Sequence, residues 1–217
     1  PAGGVEPGEQ VLPVVEPGTF EEDILRRDFT INALAVPLPD VAARMIERSW
    51  PRGLDAAVID LTGGLADLAA RRVRVLHPRS FLDDPTRLFR AVRYASRVGG
   101  SLDTSTAALA SEAVRSGALD TVSEVRRMNE LEKFFAEPSV TDVLERARTL
   151  GLLESTPLAL IRDWAGFLAL LSDTTPIGVE EAVGEAFRRS DPTRREDLFR
   201  RFGYGPKRLR KLGVSSR

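Results

Sequence analysis

The 217-residue chain has no cysteine and one histidine, His77. Without thiols there is no disulfide framework, no thiolate metal site and no Cys nucleophile. One imidazole excludes a His-rich metal centre. Long apolar runs are also missing. The most apolar stretch, Leu158–Leu171, is interrupted by Arg162 and Asp163, so no membrane span is expected. No basic region followed by an apolar one opens the sequence, so a secretion signal is not expected and the cytoplasm is the default compartment. Lysine is scarce, with three against 28 arginines. A GC-rich coding bias accounts for that ratio by itself. Arginine also offers a planar fork for phosphates and bases that lysine lacks.

What is present suffices for a core. Hydrophobic residues make up 42% and the formal net charge is −1, which excludes disorder over most of the length. Residues 1–19 are rich in Gly and Pro, with room for one short strand at Val11–Val15. An acidic start (Glu21, Glu22, Asp23) turns basic at Arg26-Arg27 and runs into Ile31–Val36. Residues 37–57 carry three prolines around a possible helix, Val41–Arg48. Val58–Leu61 then reads as a short buried strand stopped by Gly63-Gly64. A short helix at Leu65–Ala70 and the alternation Val73-Arg74-Val75 follow. These α/β pieces are too few to close a sheet.

From residue 83 the pattern turns helical. Asp84-Pro85 reads as an N-cap with proline at the first helical position. Leu88, Ala91, Val92, Ala95 and Val98 form one apolar face, ended by Gly99-Gly100. Further helices are expected at Thr104–Ser116, Glu124–Phe135, Val140–Leu150, Leu158–Leu171, Glu180–Arg189 and Arg194–Phe202. The last thirty residues hold eleven basic side chains against three acidic ones, a tail suited to a polyanion or a solvated helix face.

Four constellations stand out. In Arg26-Arg27-Asp28-Phe29-Thr30-Ile31-Asn32-Ala33, Asp28 can orient a guanidinium, Asn32 can bond a sugar or phosphate, and Thr30 can cap a helix over Ile31–Val36. In Asp60-Leu61-Thr62-Gly63-Gly64, paired glycines permit a tight turn. In Asp83-Asp84-Pro85-Thr86-Arg87-Leu88-Phe89-Arg90-Ala91-Val92-Arg93-Tyr94, an Asp–Arg pair one turn apart presents an acceptor beside a donor fork, able to meet a base edge. Arg90 and Arg93 are left for phosphates. The plain alternative makes Asp84 a cap and Arg87 its ion-pair partner. Arg126, Glu130 and Lys133 form a fourth, weaker set.

In this order the motifs strongly resemble the bacterial (class II) tRNA nucleotidyltransferase and poly(A) polymerase family, which includes the CCA-adding enzymes. The resemblance covers about residues 11–136. It implies a fold class: an α/β remnant of a nucleotidyltransferase head followed by an all-α neck and body, mostly helical overall. The expected boundaries are the rear of the head over 1–80, a nucleotide- and RNA-binding neck over 81–137, and a helical body with the basic tail over 138–217. It also implies that Arg27 and Asn32 contact the incoming nucleotide. Asp84 and Arg87 read the edge of CTP or ATP, and Arg90 and Arg93 contact the bound nucleotide. Arg26 and Asp28 support the first motif. Asp60, Gly63 and Gly64 match a flexible segment between head and neck, and Arg126 and Glu130 match a bracing helix.

Departures are visible. Asp83-Asp84 stands where the family has Glu-Asp, Val125 replaces the Glu of a Glu-Arg pair, and residues 37–57 replace a short hairpin. The family's metal-binding turn, Gly-Gly-x-Val-Arg-Asp followed by Asp-x-Asp, is matched nowhere in residues 1–19. Ala2-Gly3-Gly4-Val5-Glu6 has the glycines without the carboxylates. The resemblance implies Mg²⁺, CTP, ATP and an RNA 3′ end such as that of tRNA. The missing carboxylates and the initial proline imply a fragment, or a protein that has lost catalysis, and no turnover by these residues alone. Rival readings are a poly(A) polymerase, a non-catalytic RNA-binding helical module and a helical scaffold.

Overall fold

The computed structural model describes residues 17–39, 58–171 and 177–190. The expected strand at Val11–Val15, the helices Val41–Arg48 and Arg194–Phe202, and the basic tail lie outside them, as does nearly all of the 37–57 insertion.

Helix α1 (Phe20–Leu25) is short and solvated, with Ile24 its one buried side chain. It is fixed by a reciprocal cap: Glu22 N–H donates to Thr19 Oγ1 at 3.2 Å, and Thr19 N–H donates to Glu22 Oε2 at 2.7 Å. After Phe29 comes a 3₁₀ turn, Thr30–Asn32. No helix runs over Ile31–Val36. Thr30 is not a cap, because its hydroxyl donates to Asp67 Oδ2 at 2.7 Å. Strand β1 (Leu34–Ala35) pairs antiparallel with β2 (Ile59–Asp60), Leu34 opposite Asp60. Ile59 and Leu61 are exposed, so this strand is not the buried one expected.

Helix α2 (Gly64–Ala69) leads to β3 (Arg72–Val73), which pairs in parallel with β4 (Ser101–Leu102). Val73 and Val75 point inward while Arg74 stays half-exposed, as the alternation requires. Val75 forms a lone antiparallel bridge to Phe29.

The remainder is helical: α3 (Ser80–Asp83), α4 (Arg87–Arg97), α5 (Thr104–Arg115), α6 (Glu124–Phe135), α7 (Val140–Thr149), α8 (Trp164–Leu171) and α9 (Val179–Arg188). Asp103 and Ser123 cap α5 and α6. Five of the expected helix ranges, Leu65–Ala70 included, hold to within a residue at each end. Two expectations fail locally. Helix α4 begins at Arg87, not at Pro85. Asp84 is extended, and its Oδ1 accepts from Thr86 N at 3.1 Å and Thr86 Oγ1 at 2.7 Å. It shapes a turn before the helix rather than capping it. The stretch Leu158–Leu171 is broken into a 3₁₀ turn (Pro157–Leu160) and α8. Asp163 restarts the helix by accepting from Gly166 N at 3.0 Å.

One continuous apolar cluster runs from Phe29 through Phe81, Phe89, Phe134 and Phe167 to Ala186. The small α/β pieces and the helices therefore share a core. Among the described residues no helix is long and apolar enough to cross a membrane.

Candidate functional site

Where α1 ends, the 3₁₀ turn, α4 and α6 surround a cleft of about 460 Å³, the size of an ordinary small-ligand site. Its walls carry Arg26, Arg27, Asp28 and Asn32 from the first motif. Asp84, Thr86, Arg87, Arg90 and Tyr94 come from the third, and Glu130 from the fourth.

The floor is an ion pair. Asp28 is buried, and its Oδ2 accepts from both Arg90 Nε and Arg90 Nη2 at 2.5 Å. Its Oδ1 accepts from Phe29 N at 2.9 Å and Asn32 Nδ2 at 3.1 Å. The guanidinium that Asp28 orients is thus Arg90, not its neighbours Arg26 or Arg27. Burial pulls the Arg90 pKa down, but the Asp28 charge and hydrogen bond outweigh it and raise it. Arg90 Nη2 also donates to Tyr94 Oη at 3.2 Å.

At one end Asp84 and Arg87 are joined only through the backbone, Arg87 N–H donating to the Asp84 carbonyl at 3.0 Å. Arg87 Nη1 donates to Ser80 Oγ at 2.8 Å and Nη2 to the Arg26 carbonyl at 3.0 Å. The bonds to the Asp84 carboxylate among the described residues all fall on Oδ1, from Thr86 and from Arg126 Nη2 at 3.2 Å. Burial pushes the Asp84 carboxyl up, and the Thr86 bonds with Arg126 and Arg87 bring it below its ordinary range. Asp84 is therefore an ionised acceptor with Oδ2 to spare, and Arg87 keeps three further N–H donors.

At the rim Arg26 and Arg27 both reach back to Asp23.

Arg93 does not line this cleft. Its guanidinium is buried, 3.3 Å from Glu137 and 3.8 Å from Glu130. It joins Arg90 and Arg97 around the Tyr94 ring at 5.4–5.8 Å. Glu130 accepts from Lys133 at 2.6 Å.

Asp60, Gly63 and Gly64 lie outside the cleft and form a tight turn. Asp60 Oδ1 accepts from Thr62, Gly63 and Gly64 N, and Oδ2 from Leu65 N, at 2.8–3.1 Å. Burial pushes the Asp60 carboxyl up, but these four donors outweigh it and bring it below its ordinary range. The resemblance implies a flexible segment here; in this structure Asp60 ties its turn and Gly64 packs under the Thr30 carbonyl.

Sequence reasoning did not single out Thr86 or Tyr94 individually, and it missed Asp67, Asp23 and Glu137 as organisers. Asp67 is wholly buried and accepts from Thr30, Arg72 and Arg74 at 2.7–2.8 Å. Only the alternation Arg72-Val73-Arg74 hinted at such a partner.

This cleft, with an acceptor and a donor fork beside an arginine rim, can be set against known proteins. Residues 6–74 match the Poly A polymerase head domain. The A-adding tRNA nucleotidyltransferase of Aquifex aeolicus (strain VF5) is 38% identical over 150 residues, 68% of this chain and 16% of that protein. The chain belongs to the tRNA nucleotidyltransferase and poly(A) polymerase family. A second relative, the Multifunctional CCA protein of Neisseria gonorrhoeae (strain NCCP11945), is 34% identical over 136 residues, 63% of this chain and 29% of the relative. A solved structure of a tRNA-processing enzyme with CTP superposes with a TM-score of 0.62 at 27% identity, covering 91% of this chain and 54% of that one. The chain thus spans less than a third of either curated relative. Its fold is a head remnant followed by helices.

Nucleotidyltransferases of this family are generally metal-dependent. The residues here do not fit a metal centre: among the described residues no three His, Asp or Glu side chains gather to hold an ion. Asp28 is committed to Arg90, Asn32 and the Phe29 N–H, and Glu130 to Lys133.

Proposed function

We propose that this chain is the nucleotide-selecting part of a cytoplasmic RNA nucleotidyltransferase that adds CMP and AMP to tRNA 3′ ends. The domains follow the same reading: the rear of the head through about residue 80, a neck over 81–137 and a body from 138. The parent reaction joins an RNA 3′-oxygen to the α-phosphorus of CTP or ATP and releases pyrophosphate. Mg²⁺ belongs to that reaction, and its ligands are not among the described residues. The step argued from these residues is therefore selection, not transfer, and the 217 residues alone bind nucleotide without extending RNA.

One observation carries this reading: Asp84 and Arg87 offer an ionised acceptor beside spare donors at one end of a nucleotide-sized cleft. Cytosine and adenine each present an amino donor next to a ring-nitrogen acceptor on their pairing edge. Guanine and uracil present a carbonyl acceptor next to an N–H donor. The protein pair matches the first pattern and leaves the second with facing acceptors and facing donors. Arg26, Arg27 and Asn32 at the rim then meet the phosphates.

Calorimetric titration with the four ribonucleoside triphosphates tests it. CTP and ATP bind at least about tenfold more tightly than UTP and GTP, and Asp84→Ala removes the preference. Equal binding of all four overturns the reading. Supplying CTP and ATP separately to the full-length protein distinguishes tRNA repair from poly(A) synthesis.

A further inference from the structure

We infer that Asp23 is the resident counter-ion of the rim arginines and is exchanged for the polyphosphate when a nucleotide enters. The inference rests on reading the cleft as a nucleotide site.

The four arginines of the cleft are held in two different ways. Arg90 is tied to Asp28, whose side chain is 8% exposed. Arg87 is tied to Ser80 and to the Arg26 carbonyl. These ties fix direction, and breaking them strips a donor from buried Asp28 and buried Ser80. Arg26 and Arg27 instead end on one carboxylate. Asp23 Oδ1 accepts from Arg26 Nε at 2.9 Å and Nη2 at 2.6 Å, and its Oδ2 accepts from Arg27 Nη2 at 2.8 Å.

All three side chains are open to solvent, at 78%, 50% and 39% exposure for Arg26, Arg27 and Asp23. An ion pair in water is weak and readily exchanged. A triphosphate, with more charge and more acceptors, displaces one carboxylate from two guanidiniums. Arg26 and Arg27 donate to Asp23 and hold its carboxyl below the ordinary range, so it is ionised at neutral pH.

Asp23 does not leave with the exchange. Its helix is anchored by Ile24 in the core, by the Thr19–Glu22 cap, and by the Arg87 bond to the Arg26 carbonyl. The displaced carboxylate stays at the rim, repels the bound phosphates, and recaptures the arginines when they depart. Asp23 is thus a positioning residue that lowers phosphate affinity and favours release of a polyphosphate product.

Inorganic tripolyphosphate is the direct probe, because it reports the rim without the base-reading pair. Titrated at low salt, Asp23→Asn binds it about three- to tenfold more tightly than the wild type, and CTP follows. Glu21→Gln removes the same charge from the same helix without touching either arginine, and stays within about twofold of wild type. Asp23→Gln, a better helix former, repeats the test if the shorter amide loosens α1. Unchanged or weaker tripolyphosphate binding in both Asp23 variants overturns the inference, as does an equal gain in Glu21→Gln. Loss of the CTP-over-UTP preference bears on the base-reading proposal alone.

Discussion

Asp28 and Arg90 lie 62 positions apart and meet at 2.5 Å, joining the first motif to the third across the floor of the cleft. The carboxylate also holds Asn32, so one side chain sets two cleft-lining groups at once. Asp28→Asn keeps the shape and loses the charge. It is expected to cost about 2 kcal/mol in urea unfolding, since Arg90 is only partly buried and regains water. CTP affinity falls at least about tenfold, because Arg90 and Asn32 lose a common anchor.

Gly63 and Gly64 should respond very differently to alanine. A Cβ at Gly64 meets the Thr30 carbonyl oxygen at a distance no real side chain occupies, and the neighbour is backbone. Gly63 has φ +80°, and a Cβ there meets only a side-chain atom, Arg74 Nη2, at 3.2 Å. Gly63→Ala costs about 1 kcal/mol, whereas Gly64→Ala costs several or prevents folding. Thermal melts of the two variants check the order.

Asp67 makes stability depend on acid. Burial pushes its carboxyl up, but Thr30, Arg74 and Arg72 hold it below the ordinary range. The folded pKa is lower than the unfolded one. Its stabilisation is therefore complete above the unfolded value of about 4 and is lost as pH falls through the folded value. Asp67→Ala costs about 2 kcal/mol at pH 7, and the gap to wild type narrows in unfolding curves taken at progressively lower pH below about 4.

Arg93 tests contact against support. Glu137 is buried and bonds Arg97 at 2.7 Å while facing Arg93. Glu137→Ala leaves the Arg93 charge buried beside Glu130, at about 3 kcal/mol. If Arg93 touched nucleotide, Arg93→Lys would weaken CTP binding at unchanged stability. The burial predicts the reverse: a lower melting temperature, with CTP affinity within about threefold once folded.

The helical part was legible because each helix writes its face at a 3.6-residue period: Leu88, Ala91, Val92 and Ala95 are all buried. The caps were not legible: of the two expected, Thr30 bonds Asp67 and Asp84 shapes a turn, while Asp103 and Ser123, which do cap helices, were not singled out. The motif arginines and Asp84 were legible as types suited to bases and phosphates, and five of the six proposed nucleotide contacts do line one cleft. The sixth, Arg93, has the same spacing and the same side chain as Arg90. Periodicity assigned both to a polar flank, and it could not show that Glu137 waits on one side and Asp28 on the other.

What the chain order determined by itself is local: helix faces, the Gly-Gly turn, and the absence of thiols and of an Asp-x-Asp pair. Those depend on neighbours within a few residues. The tertiary structure alone decided which carboxylate holds which guanidinium. Asp28 took Arg90 over the adjacent Arg27, Asp67 took Arg72 and Arg74 together with Thr30, and Asp84 took Arg126 over Arg87. An ion pair is fixed by distance and burial in space, and residues dozens of positions apart share no periodic signal that would reveal it.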